Sequence, residues 1–236
     1  MKITVINGSP RKGNTYATTK IFKNEMIACG EVDFTDFFLP QDMPEFCMGC
    51  MSCFDNGEHT CPHAKYTLPI LESMLCADAI IFTTPVYVTQ TPGAVKAFLD
   101  HYGFIFIGHR PHHKMFSKKA FVLATTAAAG SKATIKTITT NMKFWGINRI
   151  YSAGFTMRAV DWDSIKPSRK TKYEHKIKKS ARRFYKEVAS GKKRRPYLFT
   201  RMMYTVCRIM VKGYDEATSL DKRYWMEKGL FERSPF

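Results

Sequence analysis

The sequence predicts a doubly wound α/β fold, with five parallel strands, helices on both faces, and a basic helical extension at the C-terminal end. Three observations predict it. Short, almost continuous apolar runs alternate with longer amphipathic segments, the pattern of buried parallel strands joined by crossover helices. Glycine-, proline- and hydroxyl-rich loops follow the strands, where open α/β sheets bind ligands. Charge is also divided unevenly along the chain. Residues 1–100 hold 7 Lys+Arg against 11 Asp+Glu, and residues 101–236 hold 30 against 9. The boundaries that follow are a domain over residues 1–160 and an extension over 161–236.

The first strand is Ile3–Ile6, where Ile3, Val5 and Ile6 suit a site buried on both sheet faces. The loop Gly8-Ser9-Pro10-Arg11-Lys12-Gly13-Asn14-Thr15 comes next, and a helix over 15–29 follows it. Gly8 and Gly13 permit backbone conformations that a Cβ would disfavour. Ser9 and Thr15 offer hydroxyls, and Arg11 offers a planar, permanently charged fork. A helix starting at Asn14 or Thr15 aims free N–H groups and its positive dipole end at an anion. These are the parts of a phosphate cradle, although an ordinary strand-to-helix turn uses some of the same residues. Two common phosphate loops do not fit. The nucleotide-hydrolase loop needs lysine after the second glycine, where Asn14 stands. The dinucleotide fingerprint needs glycine two residues after the first, where Pro10 stands.

The second strand is Glu31–Phe38, and a helix over 66–76 leads to the third, Ala77–Thr84. Pro85-Val86-Tyr87-Val88 lies at its carboxyl end, offering backbone groups and an aromatic face to a planar ring. A helix over 91–103 follows, with Pro92 near its start. The fourth strand is Ala120–Thr126, a helix spans 131–145, and the fifth strand is Arg149–Phe155. The loop after the fourth strand, Thr125 to Gly130, is small enough to lie against a ring edge. Tyr87 alone fits core packing as readily as a ligand contact; its place after the third strand favours the contact.

The Gly8–Thr15 loop and the Pro85–Val88 loop together resemble the flavodoxin-like NAD(P)H-dependent FMN reductase family, and most closely its iron–sulfur flavoprotein branch. The resemblance covers residues 1 to about 155 well and the remainder loosely. It implies FMN as cofactor, with Ser9, Arg11, Gly13, Asn14 and Thr15 around the phosphate. It places Thr84, Pro85, Val86, Tyr87, Val88, Thr125 and Gly130 near the flavin ring. It further implies NAD(P)H as electron donor, an unidentified electron acceptor, and a homodimer or homotetramer. The chemistry belongs to the cofactor, so no side-chain acid or base is expected. Two departures stand out. The family often ends the helix after the third strand with Asp-Arg, where this chain has Asp100-His101. The loop after the fourth strand is also poorer in glycine than in relatives.

Cys47, Cys50, Cys53 and Cys61 form a C-x2-C-x2-C-x7-C group, and Cys29, Cys76 and Cys207 are scattered. Three cysteines at intervals of three place sulfurs around one tight loop, a spacing suited to an iron–sulfur cube with a fourth ligand beyond. The resemblance implies a [4Fe–4S] cluster, although relatives keep much of the pattern. Reduced structural thiols are one alternative. Zinc with His59 or His63 as substitute ligand is another, although zinc sites more often use two separated pairs. His101, His109, His112 and His113 form a local group read as loop structure.

The chain has 236 residues, 44% of them hydrophobic, enough for one good core. No apolar run approaches the roughly 20 residues that span a bilayer. Met1-Lys2 runs straight into the first strand, which predicts no targeting segment and a cytoplasmic, reducing location. The net charge of +17 concentrates in Lys166–Arg195, with 14 basic and 2 acidic residues ending in Lys192-Lys193-Arg194-Arg195. A solvated basic helix with a docking helix at Tyr197–Val211, which a subunit interface could use, is the first reading. An electrostatic funnel for an anionic redox partner is the second. Contact with nucleic acid or a membrane surface has charge alone behind it, with no nucleic-acid motif. The residues Asp221–Gly229 read as a packed helix.

The activity expected is transfer of electrons from NAD(P)H through FMN. An iron–sulfur flavoprotein carrying electrons between proteins is one alternative, and a non-catalytic flavin sensor acting through the basic extension is another.

Overall fold

The computed structural model describes residues 1–236. Strand β1 (Lys2–Asn7) leads through α1 (Asn14–Ile27) to β2 (Asp33–Phe38). The next segment carries a short helix α2 (Ser52–Asp55) and α3 (Ala64–Cys76) before β3 (Ala79–Pro85). After α4 (Gly93–His101) and a short α5 (His113–Ser117) come β4 (Lys119–Thr126), α6 (Ser131–Phe144) and β5 (Arg149–Thr156). The C-terminal region adds α7 (Pro167–Ala189), α8 (Leu198–Lys212) and α9 (Leu220–Glu227).

The five strands form one all-parallel sheet in the order β2-β1-β3-β4-β5. Register is continuous across it: Ile6 pairs with Phe82, Phe82 with Val122, and Val122 with Ser152. β1 to β2 winds one way and β3 onward winds the other. The crevice beyond the carboxyl ends of β1 and β3 is therefore the switch point of the sheet. The fold is the flavodoxin-like doubly wound arrangement.

Alternate residues of the central strands feed two cores. On one face Ile6, Ile80, Phe82 and Val122 pack with Ile70 and Met74 of α3, Phe98 of α4 and Ile138 and Met142 of α6. On the other, Ile3, Val5, Ile81 and Phe121 pack with Phe22 and Met26 of α1 and Ile177, Ala181 and Phe184 of α7. The long basic helix thus completes the covering of the sheet. Its apolar stripe, at spacings of three and four, is buried among aromatic rings, with Phe121 and Phe184 centroids 5.5 Å apart. A smaller third core joins Ile107 and Phe116 to Tyr204, Cys207 and Val211 of α8 and Trp225 of α9.

Boundaries differ from the sequence reading by a few residues. β2 begins at Asp33 rather than Glu31, because the preceding Gly30 turns with φ +156° beneath the hydroxyl of Tyr185. Pro92 caps α4 in an extended conformation, so the helix begins at Gly93. The short helices α2 and α5 carry no amphipathic period long enough to read.

Candidate active site

The loop after β1 is held at both ends. The amide of Gly8 donates to Thr83 O across the sheet, and a Cβ on Gly8 would lie 2.5 Å from Val95 Cγ2. Only glycine leaves room for the chain to pass this close to Val95 and Thr84. Helix α1 then starts without any side-chain cap and without an acidic residue in its first turn. Its leading N–H groups and dipole are thus left for an external anion. Arg11 folds back over Gly13, its Nε 3.5 Å from where a Cβ would stand, and its amide donates to Ser9 Oγ at 3.2 Å.

Ser9, Arg11, Gly13, Asn14, Thr15, Pro85, Val86, Tyr87 and Thr125 line one cleft at the switch point. Nine of the twelve residues expected around FMN therefore converge. The Tyr87 hydroxyl lies 3.4 Å from Ser9 Oγ, closing one side of the cleft with an aromatic ring. Thr15 Oγ1 and Thr125 Oγ1 meet at 2.6 Å in its floor.

Three expected residues stand elsewhere. Thr84 is fully buried, and its hydroxyl donates to Pro85 O rather than into the cleft. Val88 points to solvent at the tip of a tight turn in which Tyr87 and Gln90 exchange both backbone hydrogen bonds. Gly130, at φ +94°, lets its loop close on Thr89, whose carbonyl oxygen would lie 2.4 Å from an added Cβ. It supports the Val88 turn and does not line the cleft.

Thr126 and Ala127, from the loop expected against the ring edge, also line the cleft, whereas sequence reasoning missed Met157, Ala159 and Val160 in its wall. The segment after β5 is drawn in by Asn14, whose side-chain amide donates to Ala159 O at 3.0 Å and Val160 O at 3.3 Å. That leaves Asn14 Oδ1 buried with no partner, an acceptor suited to a ligand hydroxyl. The rule that ligands sit beyond strand ends, applied to β5, would have flagged this segment.

All four clustered cysteines line a second, smaller pocket together with His63, Asp100 and His101. Positive φ at Gly49 (+65°) curls the chain between Cys47 and Cys50, and at Met51 (+61°) between Cys50 and Cys53. All seven cysteines are free thiols. Burial pushes the Cys53 thiol up to about 11, and the neighbouring Cys61 and Cys47 add to the rise. Hydrogen bonds from Ser52 lower the Cys50 thiol. His63 Nδ1 lies 2.9 Å from His101 Nε2, and His101 Nδ1 lies 2.8 Å from Ala97 O. Donor atoms of Cys61, His63 and His101 lie within 4.8 Å of one another. Thus His63 reaches the cysteines, whereas His59 lies over Gly57 outside this pocket. His101 had no signal in the sequence pointing to the cysteines.

The C-terminal helix braces this loop. Arg110 is buried, donates to the carbonyls of Cys53 and Phe54, and pairs with Asp221 of α9 at 2.8 Å. Asp221 also meets His109 Nδ1 at 2.7 Å.

A parallel doubly wound sheet with an uncapped helix at its switch point defines the class as flavodoxin-like. Residues 1–157 match the model of the family described as NADPH-dependent FMN reductase, and the chain belongs to that family. An iron–sulfur flavoprotein of Clostridioides difficile is 31% identical over 140 residues, covering 56% of this chain and 58% of the relative. An iron–sulfur flavoprotein of Archaeoglobus fulgidus is 24% identical over 233 residues, 98% of this chain and all of the relative. In its leading alignments the chain spans 58% and 48% of the curated relatives' length. Among solved structures, an FMN-dependent NADH-azoreductase of Bacillus anthracis in complex with FMN superposes with a TM-score of 0.61. The match has 12% identity and covers 78% of this chain and all of that one. No helix is long and apolar enough to cross a membrane.

Proposed function

We propose that this protein is an FMN-dependent oxidoreductase that takes electrons from NAD(P)H and passes them to an acceptor. The observation that carries the reading is the uncapped start of α1, facing Ser9, Arg11 and the half-exposed ring of Tyr87 across one cleft. The residues fit FMN on their own chemistry. A phosphate would take the α1 N–H groups and the Arg11 guanidinium, and the unpaired Asn14 Oδ1 would accept from a ribityl hydroxyl. Tyr87 and the Pro85–Val86 backbone would position the ring. Bound FMN supplies chemistry that no side chain here offers, accepting an electron pair and releasing electrons one or two at a time. The reading includes a reducing, cytoplasmic setting and a homodimer or homotetramer.

The test is titration of the purified chain with FMN and FAD, followed by NADH and NADPH oxidation with a quinone or azo acceptor. Tight FMN binding, weak FAD binding and turnover support the reading. A chain that never takes up FMN would sink it.

A second reading, the iron–sulfur flavoprotein, is favoured by the convergence of Cys47, Cys50, Cys53 and Cys61 on one pocket. Four thiolates on a single curled loop suit a [4Fe–4S] group. There the protein would hand electrons on singly to another protein. Iron and sulfide content after anaerobic purification separates the two readings.

A further inference from the structure

Helix α8 has two apolar faces, and the fold uses only one. Thr200, Tyr204, Cys207 and Val211 are buried at spacings of four and three, forming the inner stripe. Leu198, Met202, Val206 and Ile209 follow the same spacings on the opposite side of the helix. All four are exposed, Leu198 to 80% and Ile209 to 70%. Met210 extends this outer stripe along one edge. Arg201, Arg208 and Lys212 run along the other edge, and the helix has no acidic residue. An apolar band bordered along one edge by cations is costly to leave in water and is the composition of helices that lie in a membrane interface.

The segment entering α8 adds to the same charge. Lys192, Lys193 and Arg195 are exposed immediately before the first turn, whereas Arg194 is held by Glu187 through a two-point contact at 2.6 and 2.8 Å. The helix leading in, α7, presents Lys178, Lys179, Arg182, Arg183 and Lys186 along a furrow lined without a single hydrophobic residue. At fifteen residues α8 is too short to span a bilayer, so it can only lie on one.

We infer that the outer face of α8, with the basic segment at its start, docks on an anionic lipid surface. Charge decides the occupant. A second copy of this chain would bring the same cations to the face, and each copy carries a net charge of +17. An anionic bilayer offers headgroups to Lys192, Lys193, Arg195, Arg201, Arg208 and Lys212. It also offers acyl chains to Leu198, Met202, Val206 and Ile209. The docking is separate from the FMN cleft and stands or falls independently of the redox reading.

Co-sedimentation of the full chain with two sets of vesicles tests this, one of phosphatidylcholine alone and one of phosphatidylcholine mixed with phosphatidylglycerol. The protein should pellet with the mixed vesicles only, and less as salt rises, because screening weakens exposed charge. Met202→Glu/Ile209→Glu should abolish pelleting, since both positions are exposed and the inner stripe is untouched. Lys192→Gln/Lys193→Gln/Arg195→Gln should weaken it roughly a hundredfold and flatten its salt dependence. Circular dichroism and light scattering on the same samples should leave fold and mass unchanged. Three results would each overturn the proposal. Wild type could fail to bind the mixed vesicles. The glutamate variant could halve the molecular mass, which would put a second copy on this face. The chain could bind duplex DNA but no vesicle, which would give the basic face to nucleic acid.

Discussion

Thr15 Oγ1 and Thr125 Oγ1 lie 2.6 Å apart, both residues buried, and this contact ties the first turn of α1 to the carboxyl end of β4. Two elements that are 110 residues apart in sequence thereby meet in the floor of the cleft. In such a pair one hydroxyl donates and the other keeps its proton, so one donor remains for a ligand. Thr125→Val preserves shape but strands the Thr15 hydroxyl. It should cost about 1–3 kcal/mol of stability, read as a lower urea midpoint with unchanged slope, and should also weaken FMN. An unchanged midpoint would show that water or a neighbour replaces the bond.

Arg11 is the one cation of the β1 loop that folds over the cleft, lying back across Gly13. Arg11→Ala should weaken FMN by roughly 1.5–3 kcal/mol, the range for a hydrogen bond to a charged group. Riboflavin, which has no phosphate, should bind wild type and variant alike. An equal loss for both ligands would move Arg11 away from the phosphate.

The Val88–Thr89 turn holds two β-branched residues at positive φ, +47° and +63°. Two-residue hairpin turns of this shape favour Asn-Gly, and β-branched residues there are strained. Val88→Asn/Thr89→Gly should therefore raise stability by about 1–2 kcal/mol. Affinity for FMN should fall or hold steady, since the turn sets the position of Tyr87. A lower thermal midpoint would mean that the turn is anchored by its side chains.

How far the sequence could be read follows from how local each signal is. The five strands, the loop from Gly8 to Thr15 and the loop from Pro85 to Tyr87 were all legible, because each rests on adjacent residues. The partners of those loops were not. Asn14 reads as a phosphate ligand, yet its amide is spent on Ala159 and Val160, about 145 residues on. Gly130 reads as a ring contact, yet its positive φ serves the packing of Thr89. The basic helix reads as an extension packed on or beside the domain with a solvated basic surface; that Ile177, Ala181 and Phe184 pack into the second core against the sheet rests on contacts with distant strands. Arg110 and Asp221, which brace the cysteine loop, are 111 residues apart with no periodicity linking them. Contacts closed only by tertiary packing leave no period in the chain.

Replacing Cys53 by serine addresses the cysteine pocket. If the four thiols hold a [4Fe–4S] group, anaerobic wild type should carry about four irons and four sulfides per chain. Cys53→Ser should lose them while FMN, bound by other loops, remains. Wild-type protein free of iron after anaerobic reconstitution would leave the pocket as reduced structural thiols.

The Glu187–Arg194 pair makes a prediction about acid stability. Hydrogen bonding from the Arg194 guanidinium holds the Glu187 carboxyl down at about 2, against an ordinary value near 4.5. Between those values the unfolded chain binds a proton that the folded chain does not, so stability should fall as pH drops from about 4.5 towards 2. Above pH 4.5 the contribution is fully present. Arg194 is more than a third exposed, and solvent screens the pair, so the effect should be modest. Glu187→Gln should flatten part of this acid limb while leaving the slope between pH 6 and pH 8 unchanged. Urea midpoints measured across that range for both proteins decide it, and parallel acid limbs would show that the pair contributes nothing to folding. The variant also releases Arg194 from α7, so vesicle binding should rise or hold steady rather than fall.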